Sequence, residues 1–495
     1  MNPPTETELL PPLPTTATAK SLKRARPMAS APGSKTSPSS PSSSSPPSYH
    51  STSVSHMDHD HLFSIILHLL PPESILSFSM TCRRFRSLAS SDSLWESICR
   101  RDWDRSVVDA LLASFSAHER RALSWKRLYR QVSQLGSLSC RRLSCKDGVF
   151  PKPRASHSLN FVSDWLVLFG GGCEGGRHLD DTWVAYVGNG FNRVLSWQHV
   201  NSGIPSGRFG QTCTLVGDSL VLFGGINDSG VRLNDAWVGR VLCEGTLELK
   251  ISWRLLDVGP IAPPPRGAHA ACCTGDRRVV IHGGIGLDGQ RLSDTWHLDL
   301  SDDLRTARWH RIPNVRPSPL PRSGHSLTWI GGTWMVLFGG RGPRYEVLND
   351  VWLFDIGGDH PEWKELKYDA SNVPGEIPLP RVGHSATLIL GGRVLIYGGE
   401  DSQRHRKDDF WLLDVSSLVR FRSVGLKKTS RIAWKKLRVE GQCPGYRSFH
   451  GACTDRSGRY VYMFGGMVDG VVHAAEAYGL RFDGELYQVE LVLQL

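Results

Sequence analysis

An arginine recurs six times along this 495-residue chain, at Arg154, Arg208, Arg266, Arg322, Arg381 and Arg447. Three residues after five of them stands a histidine: His157, His269, His325, His384 and His450; Gln211 takes the remaining place. Asp181, Asp235, Asp294, Asp350 and Asp409 each precede a tryptophan by two residues, and Glu485 precedes Tyr487 in the same way. A guanidinium matches the fork of a carboxylate or a phosphate. The chemistry open to these residues is therefore ionic recognition, either of one another within a repeat or of an acidic or phosphorylated ligand. Six bases facing six acids favour pairing within the repeat. Arginines left over would point at a ligand, which makes Arg208, Arg266, Arg322 and Arg381 candidate substrate contacts. The histidines are dispersed one per repeat, whereas zinc needs ligands converging to about 2.0–2.1 Å. No metal and no cofactor are expected. There is no nucleophile–base set and no Walker loop, and the glycine-rich segments follow strands without opening helices, so they are not phosphate loops.

The elements that position these residues repeat with them. Gly-Gly pairs fall at 170–171, 224–225, 283–284, 339–340, 398–399 and 465–466, spaced by 54, 59, 56, 59 and 67 residues. Each closes an apolar run, such as WLVLFGG or RYVYMFGG. Runs rich in Val, Leu, Ile and Phe and bounded by Gly, Pro and Asp read as strands. A third strand follows (DDTWVAY, NDAWVGR, SDTWHLD, NDVWLFD, DDFWLLD), then a fourth carrying Trp197, Trp253, Trp309, Trp363 or Trp434. Four short strands per unit, none able to bury its own apolar face, are the makings of propeller blades. The third-strand Trp183, Trp237, Trp296, Trp352 and Trp411 are expected to pack between blades. The sixth unit lacks its fourth strand. LSCRRL at Leu138 holds the register of ISWRLL at Ile251, with Cys140 in place of the tryptophan. Residues 138–143 are thus expected to close the last blade beside Tyr487, removing an open edge.

The Gly-Gly, the downstream aromatic and the later tryptophan together resemble the kelch motif. The resemblance covers residues 138–495 and implies an all-β propeller of six four-stranded blades. The loops after Gly-Gly vary most from unit to unit, as befits a recognition surface on a fixed frame. Arg341, Arg344, Tyr345, Arg404, His405 and Arg406 are the richest candidates there for substrate contact.

A second module precedes the repeats. Leu62, Ile65, Ile66, Leu69 and Leu70 recur at helical spacing until Pro71-Pro72 stop the helix. Glu73–Ser79 begins a second helix, Cys82, Phe85 and Leu88 suit a third, and Ser93 is placed to cap a final turn containing Trp95. Ile65, Leu69 and Leu88 are expected to fill the core. LLPPESIL, TCRRF and SDSLW resemble the F-box, a small all-α domain spanning here residues 57–103. The Leu-Pro that usually opens that motif is absent, with Asp58-His59 near its place. The resemblance implies docking on a SKP1-like adaptor and, through it, a cullin. Leu62, Ile66, Pro71, Pro72, Ile75 and Leu76 match the adaptor-binding positions. Residues 104–137 form a linker with two amphipathic helices, SVVDALLASF and SWKRLYRQV.

Residues 1–56 are rich in Pro, Ser and Thr and are expected to be disordered. They hold the basic Lys20–Arg26 segment, read as a soluble basic tail with an import signal as the alternative, and Met57 is placed as an alternative start. The net charge of +10 is modest for this length, and no nucleic-acid motif accompanies it, so no nucleic-acid partner is expected. No apolar stretch of 18 residues appears, which gives no membrane partner. Eleven cysteines without a paired pattern fit a reducing compartment, cytoplasm or nucleus. The expected function is the non-catalytic, substrate-recognition subunit of an SCF-type ubiquitin ligase, binding target proteins through the propeller. The alternatives are a kelch scaffold outside any ligase and a propeller enzyme.

Overall fold

The computed structural model describes residues 66–145, 148–188, 195–244, 248–314, 316–358, 360–366, 377–415, 433–469 and 481–493. The Pro/Ser-rich tail, Leu62 and Ile65 lie outside them.

Helices α1 (Pro72–Ser79), α2 (Arg83–Leu88) and α3 (Asp92–Trp103) follow a short 3-10 turn at Leu67–Leu69. Pro72 sits at the first helical position, where its missing N–H costs nothing. Cys82 caps α2, its sulfur accepting the Phe85 N–H at 3.4 Å. The start of α3 differs from the sequence expectation: Ser91, not Ser93, is the N-cap, and the helix runs 12 residues rather than one turn. Asp92 explains the register, because its carboxylate accepts the backbone N–H of Trp125 at 2.8 Å and ties α3 to a later helix. The core holds Leu67, Ile75, Leu88, Leu94, Trp95 and Ile98. Leu69 was expected in this core but is 70% exposed. The tight turn after Ile66 rotates Leu67 inward in its place.

Three helices occupy the linker: α4 (Arg105–Ser114), α5 (Ala117–Ala122) and α6 (Trp125–Ser133). The middle one was not anticipated. Its signal is the capping box Ser116/Glu119, in which each residue bonds the other's backbone N–H. The linker is bolted to the blades. Arg393 donates to the carbonyls of Val132 and Ser133 at the end of α6. Arg459 bonds Glu490 at 2.7 Å and reaches Glu119 at 3.6 Å, and its guanidinium covers the Phe115 ring.

Six blade sheets follow, one per repeat, with a small three-stranded sheet (Arg447–Ser448, Met467–Val468 and Arg481–Phe482) in the sixth repeat. Blade one, for example, orders Ser158–Val162, Trp165–Phe169, Thr182–Tyr186 and Trp197–Asn201 from inside out. The first strands of successive blades touch one another round the axis, and the ring closes where blade six meets blade one. Ser137–Leu143 supplies the fourth strand of blade six, antiparallel to Leu486–Leu491, with Arg142 opposite Tyr487. A further strand, Arg438–Gly441, pairs parallel on its outer side and covers that edge.

Neighbouring blades join through aromatic rings. Each fourth-strand tryptophan meets the residue before the preceding blade's Gly-Gly: Trp253 on Phe169, Trp309 on Phe223, Trp434 on Phe338, Trp363 on His282. Trp197 of blade one meets Phe464 of blade six. Cys140 sits opposite Val489, in the register of these tryptophans. Tyr397, the residue before Gly398, sets its hydroxyl 2.7 and 2.8 Å from the carbonyls of Pro444 and Gly445. The Gly-Gly bend needs glycine outright: Gly340 has φ 98°, and a Cβ there would lie 2.7 Å from that of His325.

Candidate functional site

Inside each blade the recurrent arginine is a clamp. Arg322 is fully buried. It donates to Asp350 twice, at 2.7 and 2.7 Å, and to the carbonyls of Leu320 and Gly339 at 3.0 and 2.9 Å. The Trp352 indole N–H donates to the same carboxylate at 2.7 Å. The same fork joins Arg154 to Asp181, Arg208 to Asp235, Arg266 to Asp294 and Arg381 to Asp409. Burial alone would raise Asp181, Asp294, Asp350 and Asp409, but the arginine and indole bonds outweigh it and hold them below the ordinary carboxylate range. In blade six the partner is Asp483, at 2.7 Å, and not Glu485. Glu485 instead accepts from Tyr487 and pairs with Arg142. The proposed contacts Arg208, Arg266, Arg322 and Arg381 are thus corrected: a docked partner does not meet guanidinium groups that are 0–1% exposed and already forked to aspartate. The third-strand tryptophans also do more than pack, since each fixes its blade's aspartate.

The histidines three residues on stitch blade to blade. His269 bonds Thr212 at 2.8 Å, His384 bonds Ser326 at 2.9 Å and His450 bonds Ser385 at 2.8 Å, always on the preceding blade. Ala270 lacks the hydroxyl, and His325 bonds His282 instead, at 3.1 Å. Burial, with the adjacent arginine next, pushes His157, His269 and His384 down to about 3. They are neutral struts.

Between each arginine and histidine the backbone builds a collar. Gly210 N–H donates to Ser156 O, Ala268 to Gly210, Gly324 to Ala268, Gly383 to Gly324, Phe449 to Gly383 and Ser156 to Phe449, at 2.6–2.9 Å. All six residues have positive φ, including the non-glycines Ser156 (53°), Ala268 (53°) and Phe449 (56°). Five of them are small; Phe449 alone carries a large side chain, and a Cβ on Gly383 would lie 2.8 Å from its ring.

Above the collar opens a cavity of about 310 Å³ to which every blade contributes. Phe209, Ile285, Val382, Phe449 and Met467 give it apolar lining, and Arg291, Arg341, Arg404 and Arg406 ring it with Glu400 as the single acid among the described residues. Arg341 reaches Glu400 at 3.5 Å, and Arg406 is tied to Asp469 and Ser448. The Nε of Arg291 and of Arg341 is buried without a partner among the described residues. Of the loop residues singled out in the sequence, Arg341, Arg404 and Arg406 converge here. Arg344 and Tyr345 are exposed nearby without lining the cavity. Arg291, stacked on Tyr345 with 4.4 Å between guanidinium and ring centre, escaped sequence reasoning. The signal was present in the RLS of IGLDGQRLS, which parallels the RLN of INDSGVRLN.

At the other end of the chain α1 leaves an apolar face outward. Leu76 and Met80 are one turn apart and 46% and 80% exposed, with Leu69 exposed just before them. Phe78 stacks on Phe85, ring centres 4.0 Å apart, and holds α1 to α2.

Two family models match this arrangement. The KLHDC2/KLHL20/DRC7 Kelch-repeats domain matches residues 126–340, 246–374 and 335–482, and the F-box-like model matches 60–101. An F-box/kelch-repeat protein of Arabidopsis thaliana is 54% identical over 458 residues, covering 90% of this chain and 94% of its own. The chain belongs to the F-box/kelch-repeat family. Adagio-like protein 1 of Oryza sativa is 33% identical over 79% of this chain, and Adagio protein 3 of Arabidopsis thaliana 31% over 81%. The match spans only 59% and 60% of those two longer proteins.

An F-box followed by kelch blades is the architecture of SCF substrate-recognition subunits, and the F-box implies a SKP1-like partner. It is an adaptor architecture rather than an enzyme's. Of the F-box positions expected to meet the adaptor, Pro71 and Leu76 are exposed and Ile66 is half-buried, while Pro72 and Ile75 are buried in the F-box itself. Pro72 and Ile75 are therefore corrected to core residues; Leu62 lies outside the described residues.

Proposed function

We propose that the chain selects its substrate at the collar-side cavity and docks its adaptor through the outward face of α1. The observation that carries the first part is the composition of the cavity: among the described residues, four arginines and one acid around an apolar floor. Such a site favours an acidic or phosphorylated segment that also inserts an apolar side chain. Phe449 limits its depth, so one side chain and not a threaded chain would fit. The second part rests on Leu69, Leu76 and Met80, large apolar side chains that are exposed among the described residues of the F-box. Six bolted blades would then carry a bound substrate at a fixed distance from the ligase.

The test is proximity labelling in cells under proteasome inhibition. Wild type is compared with Arg291→Glu/Arg404→Glu, whose melting temperature must match wild type. The double variant is expected to lose specific neighbours while still retrieving SKP1-like adaptor. An unchanged set of neighbours overturns the cavity as the substrate site. Leu76→Ala/Met80→Ala is expected to do the reverse, losing adaptor and keeping the neighbours.

A further inference from the structure

We propose that the outer edge of blade three is a binding site for a divalent transition-metal ion, built from His297, Asp299 and His310. His297 and Asp299 lie two residues apart on Arg291–Leu300 and so share a face of the sheet. His310, on the outermost strand Ala307–Ile312, is directly opposite His297. The two imidazoles lie nearly parallel, ring centres 4.9 Å apart and planes 20° apart. Both turn Nε2 toward one oxygen of Asp299, at 3.5 Å from His297 and 3.4 Å from His310.

These separations fit coordination. Zinc holds nitrogen and oxygen at about 2.0–2.2 Å in a tetrahedron, whose edges are then about 3.3–3.6 Å. Two edges of the triad already have that length. The third, between the two imidazoles, lies within the 4.8 Å that encloses all three ligand atoms. A small rotation of the exposed His310 ring closes it. Two imidazoles and a carboxylate suit zinc, nickel or copper rather than calcium or magnesium, which prefer oxygen alone. The fourth position faces solvent, since Asp299 and His310 side chains are about half exposed.

The surroundings set the strength. Arg278 Nε stands 3.1 Å from the other oxygen of Asp299, which orients the carboxylate and reduces its effective charge. Nδ1 of His297 is buried without an acceptor among the described residues, so the hydrogen bond that usually supports a ligating histidine is missing. Both features make the site weaker than one whose ligands are fully supported by a second layer of hydrogen bonds. Unlike the one-per-blade histidines, this pair belongs to no repeat position, and the bound ion would staple the two outer strands of a single blade.

The experiment uses the full chain, freed of metal by chelator and titrated with zinc chloride. Diethyl pyrocarbonate labelling, read peptide by peptide in a mass spectrometer, follows each histidine separately. Zinc at submillimolar concentration is expected to protect His297 and His310 in wild type while exposed His405 stays reactive. Asp299→Asn is expected to weaken this protection about tenfold or more. His310→Ala is expected to abolish protection of His297; both side chains lie at the surface, so both variants fold. Labelling of His297 and His310 that zinc leaves unchanged overturns the site. Protection that survives both substitutions also overturns it, by showing that zinc acts elsewhere.

Discussion

Removing one carboxylate from a blade should reveal how much the clamps hold. In Asp350→Ala, the buried Arg322 keeps its bonds to the carbonyls of Leu320 and Gly339 but loses its counter-charge and two of its four hydrogen bonds. Breaking a buried ion pair on one side costs about 3–5 kcal/mol. The Asp350 side chain is 25% exposed, so water can partly replace it. The lower end, about 3 kcal/mol, is therefore expected, with the orphaned Trp352 N–H keeping it from falling further. For a cooperative unit of about 350 residues this corresponds to a fall in melting temperature of roughly 3–5 °C. Blade six supplies the control. Asp483→Ala should cost as much as Asp350→Ala, because Asp483 holds Arg447. Glu485→Ala should cost no more than about 1 kcal/mol, since its pair with Arg142 has side chains 53% and 41% exposed. Differential scanning fluorimetry of the three variants against wild type decides it. A Glu485→Ala protein as damaged as Asp350→Ala, or a silent Asp483→Ala, refutes the clamp assignment.

Acid should loosen the ring in two stages. His157, His269 and His384 have folded pKa values lowered to about 3; the unfolded chain binds more protons between there and about 6.5, so their contribution is lost as pH falls through that window. The clamp aspartates are also depressed, but from an unfolded value near 3.9, so their contribution persists until below about pH 4. His384→Gln, which copies Gln211, should therefore flatten the melting-temperature slope between about pH 6.5 and 4.5; an unchanged slope assigns the acid sensitivity elsewhere. In the collar, Ala268→Gly should be neutral or stabilising by up to about 1 kcal/mol, because it relieves a positive φ. Gly324→Ala should destabilise, since its Cβ would sit 2.5 Å from Val382; equal melting temperatures for the two would contradict the collar. Ile75→Ala should cost about 2–5 kcal/mol in the F-box, whereas Leu76→Ala should leave its melt unchanged, as followed by circular dichroism.

The frame was legible because its signals repeat. Gly-Gly, the third-strand aromatic and the fourth-strand tryptophan recur at one register, and any six copies of a strand-forming pattern must solve the same packing problem. Intrablade pairing of Arg154 with Asp181 could be read from matched counts. The blade-six partner could not, because Asp483 moved two residues from the common spacing and Glu485 stood where the pattern pointed. The F-box was legible from Pro71-Pro72 onward. The exchange of Leu67 for Leu69 was not, since one residue of slip in a tight turn leaves the apolar composition unchanged. The cavity was half legible. Arg341, Arg404 and Arg406 stood out as loop charges, but Arg291 begins a strand, and only the ring geometry brings it to them. The site at His297 and His310 was invisible for a related reason: its ligands are opposed across a hairpin, so their sequence spacing carries no motif.

The strand that completes blade six leads the propeller in sequence, while its partner comes almost last. Leu143 and Leu486 pair although they stand 343 positions apart in the chain. At about 5–20 residues per second, a ribosome needs roughly 17–70 s to deliver the second after the first. For that interval five blades can form, but the circle stays open, and Ser137–Leu143, tethered to a finished F-box, waits for its blade-six partner. The nascent chain thus has adaptor-docking helices well before it has a complete cavity. Synthesis itself imposes an order: recruitment becomes possible first, selection last.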